Sequence, residues 1–166
     1  MSKIAYQLAA LCLTAAFGCV TSSTNAQLLA RKDISLAAAL TMATTAIQTC
    51  KSQGYNVSAH VVGRNGEVLV AIRGDNTGPH TFENSMKKAY TSRIQRIPSG
   101  KFAENVKNNP TAGALSLTNV TPAQGALPIM VGEETIGAIG ISGAPGGDKD
   151  EACAKAGLDK VAADLK

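Results

Sequence analysis

Apolar residues first follow a helical period between Ile34 and Ser52. They recur at spacings of four and three residues and form one stripe of Leu36, Leu40, Ala43, Ile47 and Cys50. This spacing predicts an amphipathic helix whose stripe faces a core, and Asp33 stands where a helix cap is expected.

The next segment changes to the two-residue period of a strand. Alternation in NVSAHVV places Val57, Ala59 and Val61 on one face and Ser58, His60 and Val62 on the other. Asn65-Gly66 is a strong signal for a tight turn, and EVLVAIR supplies a return strand. We therefore expect a β-hairpin.

A second helical pattern runs from Thr81 to Ile97 and is stopped by Pro98. Its apolar arc contains Phe82, Met86, Ala89, Tyr90 and Ile97, and the opposite side carries Asn84, Lys88, Thr91 and Gln95. On this pattern the polar side faces solvent and Tyr90 lies at the edge of the core. Arg93 falls inside the apolar arc, so its guanidinium must snorkel, pair with a buried acid or bind an anionic group.

The remaining chain predicts a short helix over 101–106, an irregular segment, a second hairpin and a last helix over 149–165. The hairpin strands are ALPIMV and TIGAIGIS, and the second strand is apolar or tiny on both faces, as in a central strand packed by helices. Two hairpins and several helices indicate an α+β fold, with an antiparallel sheet built from the hairpins and flanked by helices.

Residues 1–26 have the pattern of a secretory signal peptide, with Lys3, an apolar run and small residues up to Ala26. Export would place the mature chain, 27–166, in the periplasm or outside the cell as a single domain. Lipoprotein anchoring through Cys19 is the weaker alternative, because Phe17 precedes Gly18 and the residue before Phe17 is Ala16, not a leucine. We expect no membrane span in the mature chain.

Cleavage would remove Lys3 and lower the formal charge from +4 to +3. The basic residues are scattered and aromatic residues make up only 4% of the chain, which argues against nucleic-acid binding. Two cysteines would remain, Cys50 and Cys153. In an exported protein this even count suggests a disulfide, and the alternative is two buried free thiols.

The glycine-rich run GAIGISGAPGGDKDEA resembles a phosphate loop only superficially, because Asp148, Asp150 and Glu151 crowd the helix start. Gly146-Gly147 are better explained as a turn, with Asp148 as the helix cap. The spacing of cysteines and histidines fits no zinc site, and the chain has no nucleophile motif such as Gly-x-Ser-x-Gly.

The chain has two histidines, and their settings differ. His60 on a strand is explained most simply as a packed sheet residue. His80 follows Gly78-Pro79 at a helix start, where it is either a plain turn residue or the border of a pocket.

GPHTFENSMKKAYTS together with GALPIMVGEETIGAIGISGAPGGDKDEACAKAGLDKV resembles the GlcG/HbpS family of haem-degrading domains, especially its exported haem-binding members. The resemblance extends from about Leu36 to Val161. It implies a profilin-like or roadblock-like sandwich, homo-oligomers up to octamers, and binding of haem or its iron. Two departures are Gly63, where the family has an aspartate, and Ala126 in place of a second glycine.

For haem, the family motif associates Thr91 with the iron, and we select His80 as the first candidate ligand and Tyr90 as the third. Lys88 or Arg93 could meet the propionates. Lys88 and Thr91 point roughly opposite to Phe82, so we expect that one subunit cannot gather all these groups in one pocket. A site between subunits would remove that obstacle.

Three functions remain open at this stage. The first is an exported haem-binding protein that sequesters, buffers or senses haem. The second is a small-molecule enzyme of the GlcG type, and the third is an oligomeric structural or signalling partner with a vestigial pocket. The predicted signal peptide favours the first over the second.

Overall fold

A computed structural model describes residues 27–165, of which 27–30 are exposed coil. The predicted signal peptide and Cys19 lie outside the described residues. Residues from Arg31 onward form a compact unit. Its elements are α1 (Leu36–Ser52), β1 (Ser58–Val62), β2 (Val68–Arg73), α2 (Pro79–Gln95), α3 (Ser99–Asn108), a 3-10 turn (Gly113–Ser116), β3 (Ala126–Val131), β4 (Glu134–Ser142) and α4 (Gly147–Val161).

The four strands form one antiparallel sheet in the order β2-β1-β4-β3. Each predicted hairpin is present, and β1 pairs with β4 to join them. Helices α1 and α4 pack on one face of the sheet, and α2 packs on the other with α3 beside it. The predicted α+β class is therefore confirmed.

Strand β4 is central and buried, as its small residues predicted. A Cβ on Gly140 would collide with the backbone of α2 at Ser85 and Ala89, so this glycine lets the helix approach the sheet. The alternation in β1 is also confirmed, because Ala59 and Val61 belong to the main core while Ser58 and His60 contact α2.

Two details of α1 differ from the prediction. Ser35, not Asp33, caps the helix, because its Oγ accepts a hydrogen bond from the Ala38 amide at 3.2 Å. The predicted stripe is correct only in part, since Ala43 and Cys50 are buried whereas Leu36 is 64% and Leu40 41% exposed. The buried face consists of Ala39, Met42, Ala43, Ala46 and Cys50. Small side chains face α4 here because the two helices meet closely at Gly157, where a Cβ would lie 2.5 Å from the Met42 carbonyl oxygen.

Cys50 and Cys153 form the predicted disulfide, with their Cα atoms 5.7 Å apart. The bond joins α1 to α4, and both cysteines are fully buried. It spans a sequence separation of 103 residues, so the first and last helices of the unit are tied together across the core.

Helices α2 and α4 also depart from the expected pattern. Lys88 and Thr91, predicted on the solvent side of α2, are buried against the sheet, whereas Phe82, Met86 and Tyr90 of the predicted apolar arc are only half-buried. Ala89 of that arc is buried as predicted, and the other buried residues of the helix are Thr81, Ser85 and Ser92. The sheet presents polar and tiny side chains on that face, so it matches the polar side of the helix. In α4, Gly146 is the N-cap and no side chain caps the helix, so the predicted role of Asp148 is wrong.

Candidate functional site

A polar layer separates α2 from the sheet. Ser58 Oγ lies 2.9 Å from Thr81 Oγ1, and Asn84 Nδ2 donates to Ser142 Oγ at 3.0 Å. Buried hydroxyls and amides of this kind are tolerated because each finds a partner. The layer fixes the rotation of α2 and therefore decides which of its side chains reach solvent.

His60 lies within this layer and is only 2% exposed. Its Nδ1 is 2.8 Å from Ser85 Oγ, and its ring meets the edge of Phe82 with centroids 4.5 Å apart. Burial lowers the pKa of His60 to about 4, because the charged imidazolium loses its hydration. Ser85 is fully buried, so this serine–histidine pair has no access to a substrate and is a packing contact, as predicted for His60.

Lys88 and Asp150 form a buried ion pair beneath the start of α4. Lys88 Nζ donates to Asp150 Oδ2 at 2.7 Å and to the Ile141 carbonyl at 3.1 Å, and the side chains are 4% and 3% exposed. Burial raises the pKa of Asp150, and Lys88 opposes that shift. Lys88 is therefore not on a solvated helix face, contrary to the expectation from its pattern.

The glycine-rich loop is built around this pair. Asp150 Oδ1 accepts a hydrogen bond from the Ala144 amide at 3.0 Å, which ties the loop to the first turn of α4. Gly125 has a φ of +132°, and a Cβ there would lie 2.8 Å from Lys88 Nζ, so only glycine leaves room for the pair. The run acts as a structural turn, as predicted, and Asp150 is its anchor.

A cleft of about 400 Å³ opens between the start of α2 and this loop. His80 is on its wall, together with Asn84, Lys88, Gln124 and Asp150. A second cavity of about 330 Å³ also borders His80, and its other lining residues are Glu83, Asn84, Lys87 and Thr121. We call these two adjoining spaces the His80 cleft.

His80 is exposed, and its imidazole lies against Gly78. A Cβ on Gly78 would be 2.9 Å from His80 Cε1, so the glycine provides the space that the ring occupies. The side chain forms no hydrogen bond within residues 27–165 and faces the cleft as a free donor or ligand.

The other predicted site residues lie elsewhere. Thr91 is fully buried: its Oγ1 donates to the Lys87 carbonyl at 2.8 Å and accepts from the Thr121 amide at 2.9 Å. Tyr90 lies over the β1–β2 turn, where a Cβ on Gly66 would be 2.7 Å from its ring. Arg93 lines a separate cavity at the other end of α2. The structure thus brings His80 and Lys88 to one cleft and leaves Tyr90, Thr91 and Arg93 outside it.

At Gly63, one of the two departures from the family pattern, a neighbouring side chain fills the space beside the backbone. The carboxylate of Glu67 fills the space where a side chain at this position would begin, and Glu67 Oε2 also accepts from the Asn65 amide at 2.8 Å. A carboxylate is therefore present at the hairpin, although the aspartate that the resemblance leads us to expect is not.

Sequence reasoning did not identify Asp150 as the partner of Lys88, nor Asn84 and Gln124 as cleft residues. A carboxylate at the start of a helix looks like a dipole partner, and nothing local reveals a lysine 62 residues away. Among residues 27–165, no group of three or more His, Cys, Asp or Glu could hold a metal ion, and no helix has the length and apolar character to span a membrane.

Comparison with known proteins identifies relatives of this chain. A family model described as haem-degrading protein HbpS-like matches residues 34–159. An uncharacterized 15.0 kDa protein of Citrobacter freundii, from the dhaT-dhaS intergenic region, is 30% identical over 76% of this chain and 90% of its own length. Protein GlcG of Escherichia coli K12 is 28% identical over 57% of this chain and 70% of its own length.

The fold is shared with solved structures as well. The crystal structure of HbpS superimposes with a TM-score of 0.76 at 32% identity, covering 80% of this chain and 93% of that one. The matched segment contains the whole sheet, the Lys88–Asp150 pair and the His80 cleft. This chain therefore belongs to the HbpS-like family of haem-degrading proteins.

Proposed function

We propose that this protein is an exported haem-binding protein that sequesters, buffers or senses haem, and that His80 contacts the iron. The observation that carries the proposal is an exposed imidazole that has no hydrogen-bond partner among residues 27–165. It lies at the junction of two adjoining cavities in a fold of the HbpS-like family. Histidine is a common axial ligand of haem iron.

The residues of the His80 cleft fit a haem held at the surface. The walls are mainly polar and glycine-rich, so they suit a macrocycle that keeps one side in solvent rather than a deep apolar pocket. The imidazole supplies the iron contact. An iron tetrapyrrole would bring redox chemistry, and this chain supplies the ligand, the walls and the charge around it.

Lys87 is better placed than Lys88 to meet a propionate. It lines the cleft seven residues, or about two helical turns, after His80 and so lies on the same side of α2. Its present partner is Glu83, in a surface ion pair of 2.5 Å that contributes little to stability. Lys88 is engaged by Asp150, so its assignment to the propionates stays a prediction.

Burial makes Thr91 a less accessible ligand than His80. Both functions of its hydroxyl are in use, and reaching it would require the segment at Thr121 to move. Tyr90 lies over the first hairpin turn, outside the His80 cleft. His80 and Lys87 line one cleft within a single chain, so the proposal does not need a site between subunits. We also propose that the chain assembles into homo-oligomers, as the family resemblance implies.

Export is supported by the disulfide. Bonds of this kind persist in oxidising compartments, such as the periplasm or the outside of the cell, and are rare in the cytosol. The chain begins with the pattern of a signal peptide over residues 1–26.

A second candidate function, a small-molecule enzyme of the GlcG type, is favoured by one observation. The Lys88–Asp150 pair lies on the wall of the same cleft, and buried ionisable pairs in clefts are frequent at catalytic sites. Under this alternative the pair would act on a small polar substrate and haem would not bind.

Titration of the purified protein with hemin tests the proposal. We expect a Soret band that differs from that of free hemin and saturates at a fixed ratio of hemin to protein. A spectrum that remains the sum of free hemin and protein would contradict haem binding and favour the enzyme alternative.

A further inference from the structure

Three arginines converge at the end of α2 that is distant from His80. Arg64, Arg93 and Arg96 line a cavity of about 360 Å³, together with Glu133, Glu134 and Thr135. His80 and Arg93 are thirteen residues apart on one helix, which separates them by roughly 20 Å along the axis. The cavity is therefore distinct from the His80 cleft, and no single haem contacts both His80 and Arg93.

Among the residues that the structure describes, carboxylates pair with only one of the three guanidinium groups. Arg64 Nε donates to Asp33 at 3.2 Å, Arg64 also donates to Glu134, and its Nη2 donates to the Lys32 carbonyl at 2.5 Å. Hydrogen bonds to Glu134 and Asp33 raise the pKa of Arg64. Glu134 and Asp33 are thus committed to Arg64.

Arg93 and Arg96 lack such partners. Within residues 27–165 neither side chain forms an ion pair, and Arg93 Nε is buried with no hydrogen-bond acceptor. Burial lowers the pKa of Arg93, and the nearby charges of Arg96 and Arg64 lower it further, against a smaller opposing effect of Glu67 and Glu134. A buried donor on a cation is costly when it is unsatisfied.

We propose that this cavity binds a small oxyanion, a carboxylate or phosphate group, between Arg93 and Arg96. A guanidinium presents two parallel N–H donors that match two oxygens of either group, and an anion that draws the Arg93 side chain toward the cavity would give its orphaned Nε–H an acceptor. Thr135 Oγ1 donates to the sulfur of Met130, at 3.0 Å, and is a further polar contact on the wall. Glu133 and Glu134 at the same cavity disfavour a large polyanion, so the site suits one small group.

The direct test follows the arginine Nε–Hε resonances of the ¹⁵N-labelled protein by NMR. Inorganic phosphate and malonate are titrated separately, with potassium chloride at equal ionic strength as the salt control. We expect the Arg93 resonance to shift saturably with at least one of the two anions, with a dissociation constant in the millimolar range or tighter. The stronger ligand identifies the phosphate or the carboxylate source.

Variants assign the shift to the cavity. Arg96→Gln, at an exposed position, should weaken binding about tenfold or more, and Glu133→Gln should strengthen it by removing a nearby negative charge. Lys160→Gln is the matched control, because it removes one exposed positive charge on α4 and should change nothing. Arg93→Gln should abolish binding. If Arg93→Gln does not fold, the comparison of Arg96→Gln with wild type still tests the proposal.

Three results would overturn the proposal: shifts no larger than those with chloride, equal affinity in wild type and Arg96→Gln, or a shift that follows protein concentration and not the added anion. The last result would show that the carboxylate of a second copy fills the cavity. The test is independent of the haem proposal, because Arg96→Gln should keep wild-type hemin binding and His80→Ala should keep wild-type anion binding.

Discussion

At the scale of single residues, His60 shows most clearly how burial sets chemistry. The imidazole is held neutral between Ser85 and Phe82, and its pKa is lowered to about 4 by burial. In the unfolded chain the same group titrates near 6.5. Between these two values the unfolded chain binds more protons than the folded protein, so the free energy of unfolding must fall as the pH falls.

We therefore expect the protein to lose stability from pH 6.5 down to about 4, with His60 contributing up to about 3 kcal/mol across that range. Urea denaturation at several pH values measures this loss. His60→Asn, whose amide can still meet Ser85, should remove that part of the pH dependence. Parallel curves of stability against pH for the two proteins would show that His60 is not the titrating group.

At the scale of elements, α2 shows what the sequence could predict and what it could not. Its ends were found to within two residues because Pro79 and Pro98 are local signals. Its buried side was predicted wrongly, because a polar helix face normally meets water. Here that face meets a polar sheet surface formed by residues such as Ser58 and Ser142, which are distant in the sequence.

The candidate site was likewise predictable from the sequence only in part. The position of His80 at a helix entry was visible from Gly78-Pro79, and the structure places it at a cleft. The separation of Tyr90, Thr91 and Arg93 from that cleft depends on the rotation of α2, which only tertiary contacts determine.

Thr91 links α2 to the segment before β3 through the hydrogen bond that its hydroxyl accepts from the Thr121 amide. Thr91→Val keeps the shape of the side chain but removes the acceptor for the Thr121 amide. We expect a loss of about 1–3 kcal/mol in the free energy of unfolding, because a part-buried donor is left without its partner. Chemical denaturation measures the effect, and Thr44→Val on the exposed side of α1 is the control. Unchanged stability together with lost hemin binding would assign Thr91 to the ligand instead.

At the scale of the whole molecule, the disulfide ties the first helix to the last across the core. In the chain-entropy account, a bond that closes a loop of about 100 residues destabilises the unfolded state by about 4 to 5 kcal/mol. The double variant Cys50→Ala, Cys153→Ala should therefore be less stable than wild type by about 2–5 kcal/mol in guanidinium denaturation.

A reducing agent supplies the control for that prediction. It should lower the stability of the wild type toward that of the double variant and leave the double variant unaffected. If reduction changes neither protein, the bond between α1 and α4 does not contribute as described.

The central claim is that an exposed imidazole on α2 holds haem iron, and the most direct measurement compares hemin titrations of wild type and His80→Ala by Soret absorption. His80 is exposed, so its removal should leave folding within about 0.5 kcal/mol of wild type. We predict a saturable, shifted band for wild type and for the control Asp75→Ala, and its loss or displacement in His80→Ala, with recovery on adding free imidazole. The same spectrum and affinity in wild type and His80→Ala would contradict the account.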